Sequence, residues 1–224
     1  MNDVVILGAG GFARELYWVF LEANEQKRQW NVLGFLDDKP ELNGQLICDV
    51  PVLGTIEWLG RNRGKSIQVI SSAGSPRARQ ALAERATALG FRFATIVHPS
   101  ARISRWVDLG PGTVITAGCV LTTQVKIGAH TVINLNSTVG HDCVIGAYTN
   151  INPGCQISGA VRFGDGVYFG TGAVIIQNKS VGEWSVIGAG AVVTSDIPAY
   201  VTAVGVPCRV IREQQIERAV SLKG

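Results

Sequence analysis

The stretch VGHDCVIGAY, residues 139–148, places a histidine directly before an acid. A carboxylate at Asp142 can hold the His141 imidazole in one tautomer and support its protonated form, which is what a general base requires. From the residues alone two readings stand open: a proton-transferring base, or an exposed polar residue in a turn. A second cluster lies at the start of the chain. In DVVILGAGGFAREL, Gly8, Gly10 and Ala13 fit the spacing G-x-G-x-x-G/A, after a strand and at the start of a helix. Glycines there let backbone N–H groups approach a phosphate at the helix N-terminus. Asp37 and Asp38 end the strand NVLGFLDD. They either accept hydrogen bonds from a base or ribose, or cap a turn before Pro40.

The second half of the chain must position His141, and it is a repeat. Every sixth residue from Val97 to Val193 is apolar, a run of 17 hexads with no register break. Four residues after each comes a small or β-branched residue, from Ala101 to Ile197, with Lys179 the one misfit. Lys179 is read as a distorted corner with its amine reaching outward. An α-helix needs a period near 3.6, which this stretch lacks. Short strands joined by tight corners give an 18-residue, three-sided coil, with coils stacked about 4.8 Å apart.

On that arithmetic His141 lies over Gly159, whose N–H is placed to bind an oxyanion. Gly154, Gly172 and Gly190 stack in a column with Asn136. They read either as a corner that needs positive φ or as a smooth groove for a long thin ligand. His98 and His130 do not stack with His141, so a zinc site is not expected. Cys143 points inward and reads as packing rather than as a nucleophile.

The first half alternates strands with helices, which implies a parallel sheet. Ser75 and Pro76 open a helix as N-cap and first helical residue. About 95 residues are too few for a full dinucleotide domain and suit a mononucleotide better. The expected division is an α/β half-Rossmann-like domain over 1–95, a coil over 96–212 and a charged helical tail over 213–224. The net charge of +3 is scattered and the five cysteines show no metal-ligand spacing. No nucleic-acid surface, transmembrane segment, signal peptide or metal is expected, and the reading is a cytoplasmic protein with reduced thiols.

Four motifs taken together, GAGGFARE, FLDD, VGHDCVIG and GVPCRVI, resemble the bacterial sugar O-acyltransferases of the sialic-acid O-acetyltransferase type. These are hexapeptide-repeat acetyltransferases, a group that includes N-acetyltransferases of nucleotide-linked amino sugars in surface glycan and lipopolysaccharide O-antigen synthesis. The resemblance implies a left-handed parallel β-helix, a homotrimer and acetyl-CoA held between neighbouring coils. It implies His141 as general base tuned by Asp142, and Gly159 as donor to the thioester oxygen. Asn150, Gly172, Ala189, Gly190 and Arg209 would line the acetyl-CoA site. Gly8, Gly10, Gly11, Phe12, Asp37, Asp38 and Gly74 would bind the nucleotide sugar. Two departures concern the acceptor: Phe12 and Asn150 stand where N-acetyltransferases of this kind often carry histidine. The alternatives are O-acetylation of a sugar hydroxyl such as that of a sialic acid, an NAD-dependent oxidoreductase and a non-catalytic trimeric scaffold.

Overall fold

The computed structural model describes residues 1–214. The chain opens with β1 (Asn2–Leu7), α1 (Gly11–Gln26), β2 (Trp30–Leu36), β3 (Leu46–Ile47), β4 (Val50–Gly54), α2 (Glu57–Arg61), β5 (Ile67–Ser71), α3 (Pro76–Ala88) and β6 (Arg92–Phe93). The sheet order is β3-β4-β2-β1-β5-β6. All pairs are parallel except β3–β4. That hairpin, which the sequence reading did not foresee, turns through Cys48 and Asp49, both with positive φ. This is the two-residue turn whose twist matches its strands, here built without the usual Asn-Gly signal. Val4–Leu7 of β1 and Ile67, Val69 and Ile70 of β5 are apolar and buried because both faces of the sheet are covered.

The chain enters the coil at Ile96–Val97, which pairs with Val114–Ile115. From there, strands 18 residues apart pair in parallel, as in Val114↔Val132, Thr138↔Gln156 and Val144↔Arg162. They form three sheets, one for each side of a triangular prism. The aliphatic column is fully buried from Ile115 to Val193; Val97, Ile103 and Leu109 are half-buried at the open end. Every sixth residue from Gly112 to Gly190 has positive φ, whatever its type. Asp142, Tyr148 and Trp184 all occupy such corners.

The second column is polar for a reason the sequence did not disclose. Thr131, Ser137, Cys143, Thr149 and Cys155 each donate from Oγ or Sγ to the carbonyl 15 residues on, at 2.8–3.2 Å. Each bond satisfies a buried acceptor on the next coil and contributes about 1 kcal/mol. Lys179 breaks the column half-buried. Its charge lies near Asp196, whose carboxylate is held below the usual range first by the Ser180 N–H and secondarily by Lys179.

The last coil is closed by a strand, Arg209–Glu213, antiparallel to Val201–Val204. Glu213, assigned to the helical tail by the sequence reading, is therefore in this strand, and Gln214 N donates to the Tyr200 carbonyl. The rest of that tail lies outside the described residues. The N-terminal domain packs through α1 on the coil side that carries Ile96, Val114 and Val132, which share one apolar core with Val4, Leu16 and Phe20.

Candidate active site

His141 sits on an exposed corner, its side chain 64% accessible. Its carbonyl accepts from Ala160 N at 2.7 Å on the next coil. Asp142 takes the left-handed corner position with φ 61°, which aspartate adopts more readily than most L-residues. That conformation turns its carboxylate back onto the imidazole, with Oδ2 2.8 Å from Nδ1. With Asp142 ionised, Nδ1 carries the proton and donates it to the carboxylate, which leaves the Nε2 lone pair bare. The pair is exposed, so it orients the ring and adds little stability.

Gly159 is buried beneath the ring. A Cβ there would stand 2.5 Å from Nε2 and 2.6 Å from Cε1. The Gly159 N–H makes no hydrogen bond within the described residues, whereas its carbonyl accepts from Asn178 N. A bare base and an unpaired N–H are thus adjacent, a pairing suited to a reaction that moves a proton and builds negative charge on oxygen. Cys143, one residue past the pair, is fully buried and donates to the Ser158 carbonyl; burial pushes its thiol up. It is a packing group.

Gly172, Gly190 and Gly154 have φ between 67° and 72°, and a Cβ on any of them would meet nothing within 4 Å. They leave an open strip along one corner of the prism. Ala189 is exposed beside Gly190. Arg209 is exposed at the start of the closing strand, where Nη1 donates to the Cys208 carbonyl.

In the N-terminal domain, the carboxyl ends of β1 and β5 meet where the order of connection reverses, the usual binding crevice of an open α/β sheet. Gly8 has φ 103°, and a Cβ would stand 2.5 Å from Ser72 Oγ, so only glycine fits. A Cβ on Gly10 would meet nothing, and one on Gly11 only Arg14, at 3.9 Å; the face of the turn is open. α1 and α3 both start here, without an acidic residue in the first turn and without a side-chain cap; Ser75 stands at the N-cap, but its hydroxyl does not bond. Their free N–H groups and positive dipole ends favour an anion. Asp37 accepts from Ala9 N at 2.9 Å and from Lys39 N at 3.0 Å, so it ties the glycine turn to β2. Asp38 contacts Ile56 N and Arg85. Both acids have structural partners in addition to any ligand.

A cavity of about 560 Å³ lies between this domain and the coil. Of the residues singled out from sequence, Phe12, Gly74, Ser75, Pro76 and Asn150 line it; Arg77, Tyr168 and Trp184 are walls the sequence reading missed. The Arg77 guanidinium lies 3.9 Å from the centroid of a Trp184 ring. His141, Asp142, Gly159, Gly172, Ala189, Gly190 and Arg209 do not line it. The separation follows from the coil: His141 and Asn150 are nine residues apart in an 18-residue turn, so within one chain they occupy different faces of the prism. Among the described residues no group of three His, Cys, Asp or Glu side chains is placed to hold a metal ion, and no helix is long and apolar enough to cross a membrane.

Residues 3–86 match the PglD N-terminal domain family. The fold matches a point mutant of perosamine N-acetyltransferase from Caulobacter crescentus, solved with CoA and GDP-perosamine, at 31% identity and a TM-score of 0.87, covering 94% of this chain and 97% of that one. The acetyltransferase domain of PglB from Neisseria gonorrhoeae, solved with acetyl coenzyme A, matches at 31% identity and TM-score 0.85, over 94% and 99% of the two chains. Among curated relatives, galactoside O-acetyltransferase of Escherichia coli is 53% identical over 53 residues, 24% of this chain and 26% of that protein; the match thus spans about a quarter of that relative. The coil is accordingly the left-handed parallel β-helix of hexapeptide repeats. The chain belongs to the bacterial sugar O-acyltransferase family of the sialic-acid O-acetyltransferase type, within the hexapeptide-repeat acetyltransferases.

Proposed function

We propose that the protein transfers an acetyl group from acetyl-CoA to the amine of a nucleotide-linked amino sugar. The observation that carries this is the His141–Asp142–Gly159 cluster, a bare Nε2 beside an unpaired N–H, in a chain that also holds an anion-ready crevice. His141 Nε2 accepts the proton as the sugar nitrogen bonds to the acyl carbon, and Asp142 stabilises the imidazolium. The Gly159 N–H stabilises charge on the acyl oxygen. The C–S bond breaks, and CoA leaves as the thiolate. The open strip at Gly154, Gly172 and Gly190 suits the pantetheine arm, with Ala189 and Arg209 toward its end. Gly8, Gly10, Gly11, Gly74, Asp37 and Asp38 hold the nucleotide, and Phe12 and Asn150 face the sugar and acyl groups.

Because His141 and the cavity occupy different faces of one prism, the complete site is assembled between copies of the chain, in a homotrimer. O-acetylation of a sugar hydroxyl is the second reading, favoured by the match to galactoside O-acetyltransferase. Incubation with acetyl-CoA and UDP-, dTDP- and GDP-linked amino sugars, read by thiol release and product mass beside His141→Asn, tests both. Gain of one acetyl group, absent in the variant, is the expected result. Turnover only with hydroxyl acceptors would replace the amine reading.

A further inference from the structure

Arg79 is the largest fully buried side chain among the described residues, at 1% exposure. It reaches from the first turns of α3 into the junction with the coil and has no acidic partner among the described residues. Its Nη2 and Nη1 donate to a single acceptor, Asn150 Oδ1, at 3.0 and 3.3 Å. Its Nε is buried without an acceptor. Burial lowers its pKa to about 10, which leaves it charged at neutral pH. A buried cation without a counter-charge is costly.

What it touches is a cavity wall. With Oδ1 occupied by the guanidinium, the Asn150 amide can point only one way. One Nδ2–H donates to Asn152 Oδ1 at 3.0 Å, and Asn152 Nδ2 donates in turn to the Phe169 carbonyl at 2.8 Å. The other Nδ2–H has no acceptor among the described residues, and Asn150 lines the cavity. An amide's oxygen and nitrogen ends are nearly the same shape, so packing alone does not choose between them; a cation does.

We propose that Arg79 is a positioning residue for acyl transfer: it locks Asn150 with an N–H toward the cavity and makes that N–H a stronger donor to an oxygen that gains negative charge. This rests on the acyl-transfer reading above, with Asn150 beside the reacting groups.

The test is a kinetic and thermal cycle on the full-length protein. Arg79→Met should lower kcat about 10- to 100-fold with little change in KM for acetyl-CoA, and Arg79→Lys should recover part of the loss. In an Asn150→Ala background, Arg79→Met should lower kcat no further. Asn150→Asp places a carboxylate against Arg79 and removes the N–H; the new ion pair offsets the lost bond to Asn152 Oδ1, so the variant should still fold while kcat falls. That split stays readable if Arg79→Met fails to fold. Arg79→Lys and Arg79→Met that keep full kcat, or losses that multiply in the double variant, would overturn the proposal. A readout free of any acceptor is the ¹⁵N side-chain amide pair of Asn150, identified by its loss in Asn150→Asp. It should shift or broaden in the Arg79 variants, and an unchanged pair would overturn the orienting role. Failure of the wild-type protein to acetylate any acceptor would instead sink the proposed function, with the amide resonances still deciding what Arg79 does.

Discussion

The His141 ring lies flat enough on Gly159 that residue 159 has no room for a side chain: a methyl group would stand 2.5 Å from Nε2. Gly159→Ala should therefore push the imidazole off its position without disturbing the coil, because the ring is exposed and free to swing away. Turnover should fall about 100-fold, the scale of a small misplacement of a reacting group. Circular dichroism melts should overlay the wild type, and a matched loss of stability would reassign Gly159 to packing.

His141→Asn removes the base at an exposed position. It should cost between about 10² and 10⁴ in kcat and less than about 0.5 kcal/mol of stability. Asp142→Asn keeps a residue that accepts the left-handed corner but loses the charge that orients Nδ1. Its loss should be smaller than that of His141→Asn and lie in kcat rather than KM. Steady-state kinetics on both variants check the order.

The open strip can be filled without breaking the fold. Tyr148, Trp184 and Tyr200 show that coil corners carry aromatic residues at φ 55–58°. Gly172→Tyr should fold with a penalty of about 1–2 kcal/mol for its left-handed backbone. It should raise KM for acetyl-CoA strongly while leaving nucleotide-sugar binding intact, which calorimetry with each ligand separates.

Asp37 holds the Ala9 amide and so shapes the glycine turn. Asp37→Ala removes a hydrogen bond to a charged acceptor and should raise KM for the nucleotide sugar about tenfold, with KM for acetyl-CoA unchanged.

His130 stacks on Tyr148 and meets Phe93 edge-on. Burial, and secondarily the charge of Arg79, lower its pKa from 6.5 to about 4. The folded state therefore resists protonating it, and the unfolded state binds the proton first. Stability from this group is complete above pH 6.5 and falls as pH drops from 6.5 toward about 4. Thermal melts across that window should be steeper for the wild type than for His130→Asn, which keeps a residue suited to φ 58° but does not titrate.

The coil was legible because its rule is local: one apolar residue in six and a corner between. Even His141 over Gly159 followed from counting 18. The first strands and α1 were legible for the same reason, a buried run followed by glycines. The hairpin at Leu46–Gly54 was not, because Cys48 and Asp49 do not advertise positive φ. Arg79 was hidden more deeply. An arginine on a short amphipathic helix reads as solvated surface, and only the docking of α3 on the coil, 71 residues away in sequence from Asn150, buries it. Asp37 and Asp38 read either as ligand contacts or as caps on the turn before Pro40; Asp37 does hold that turn through Lys39 N, while its bond to Ala9 N and the Asp38 contacts with Ile56 and Arg85 are partners that no spacing reveals. The oxidoreductase and scaffold readings, open in sequence, give way once family membership is established.

The half-turn between His141 and Asn150 has a genetic consequence. If a working centre draws His141 from one chain and Asn150 from its neighbour, a chain lacking only the first residue and a chain lacking only the second are each inert alone. Within a mixed assembly they still form some junctions in which both intact residues meet. Two dead alleles expressed together would then restore part of the activity that neither supports, and a double-defective chain mixed with wild-type chains would disable both junctions in which it takes part.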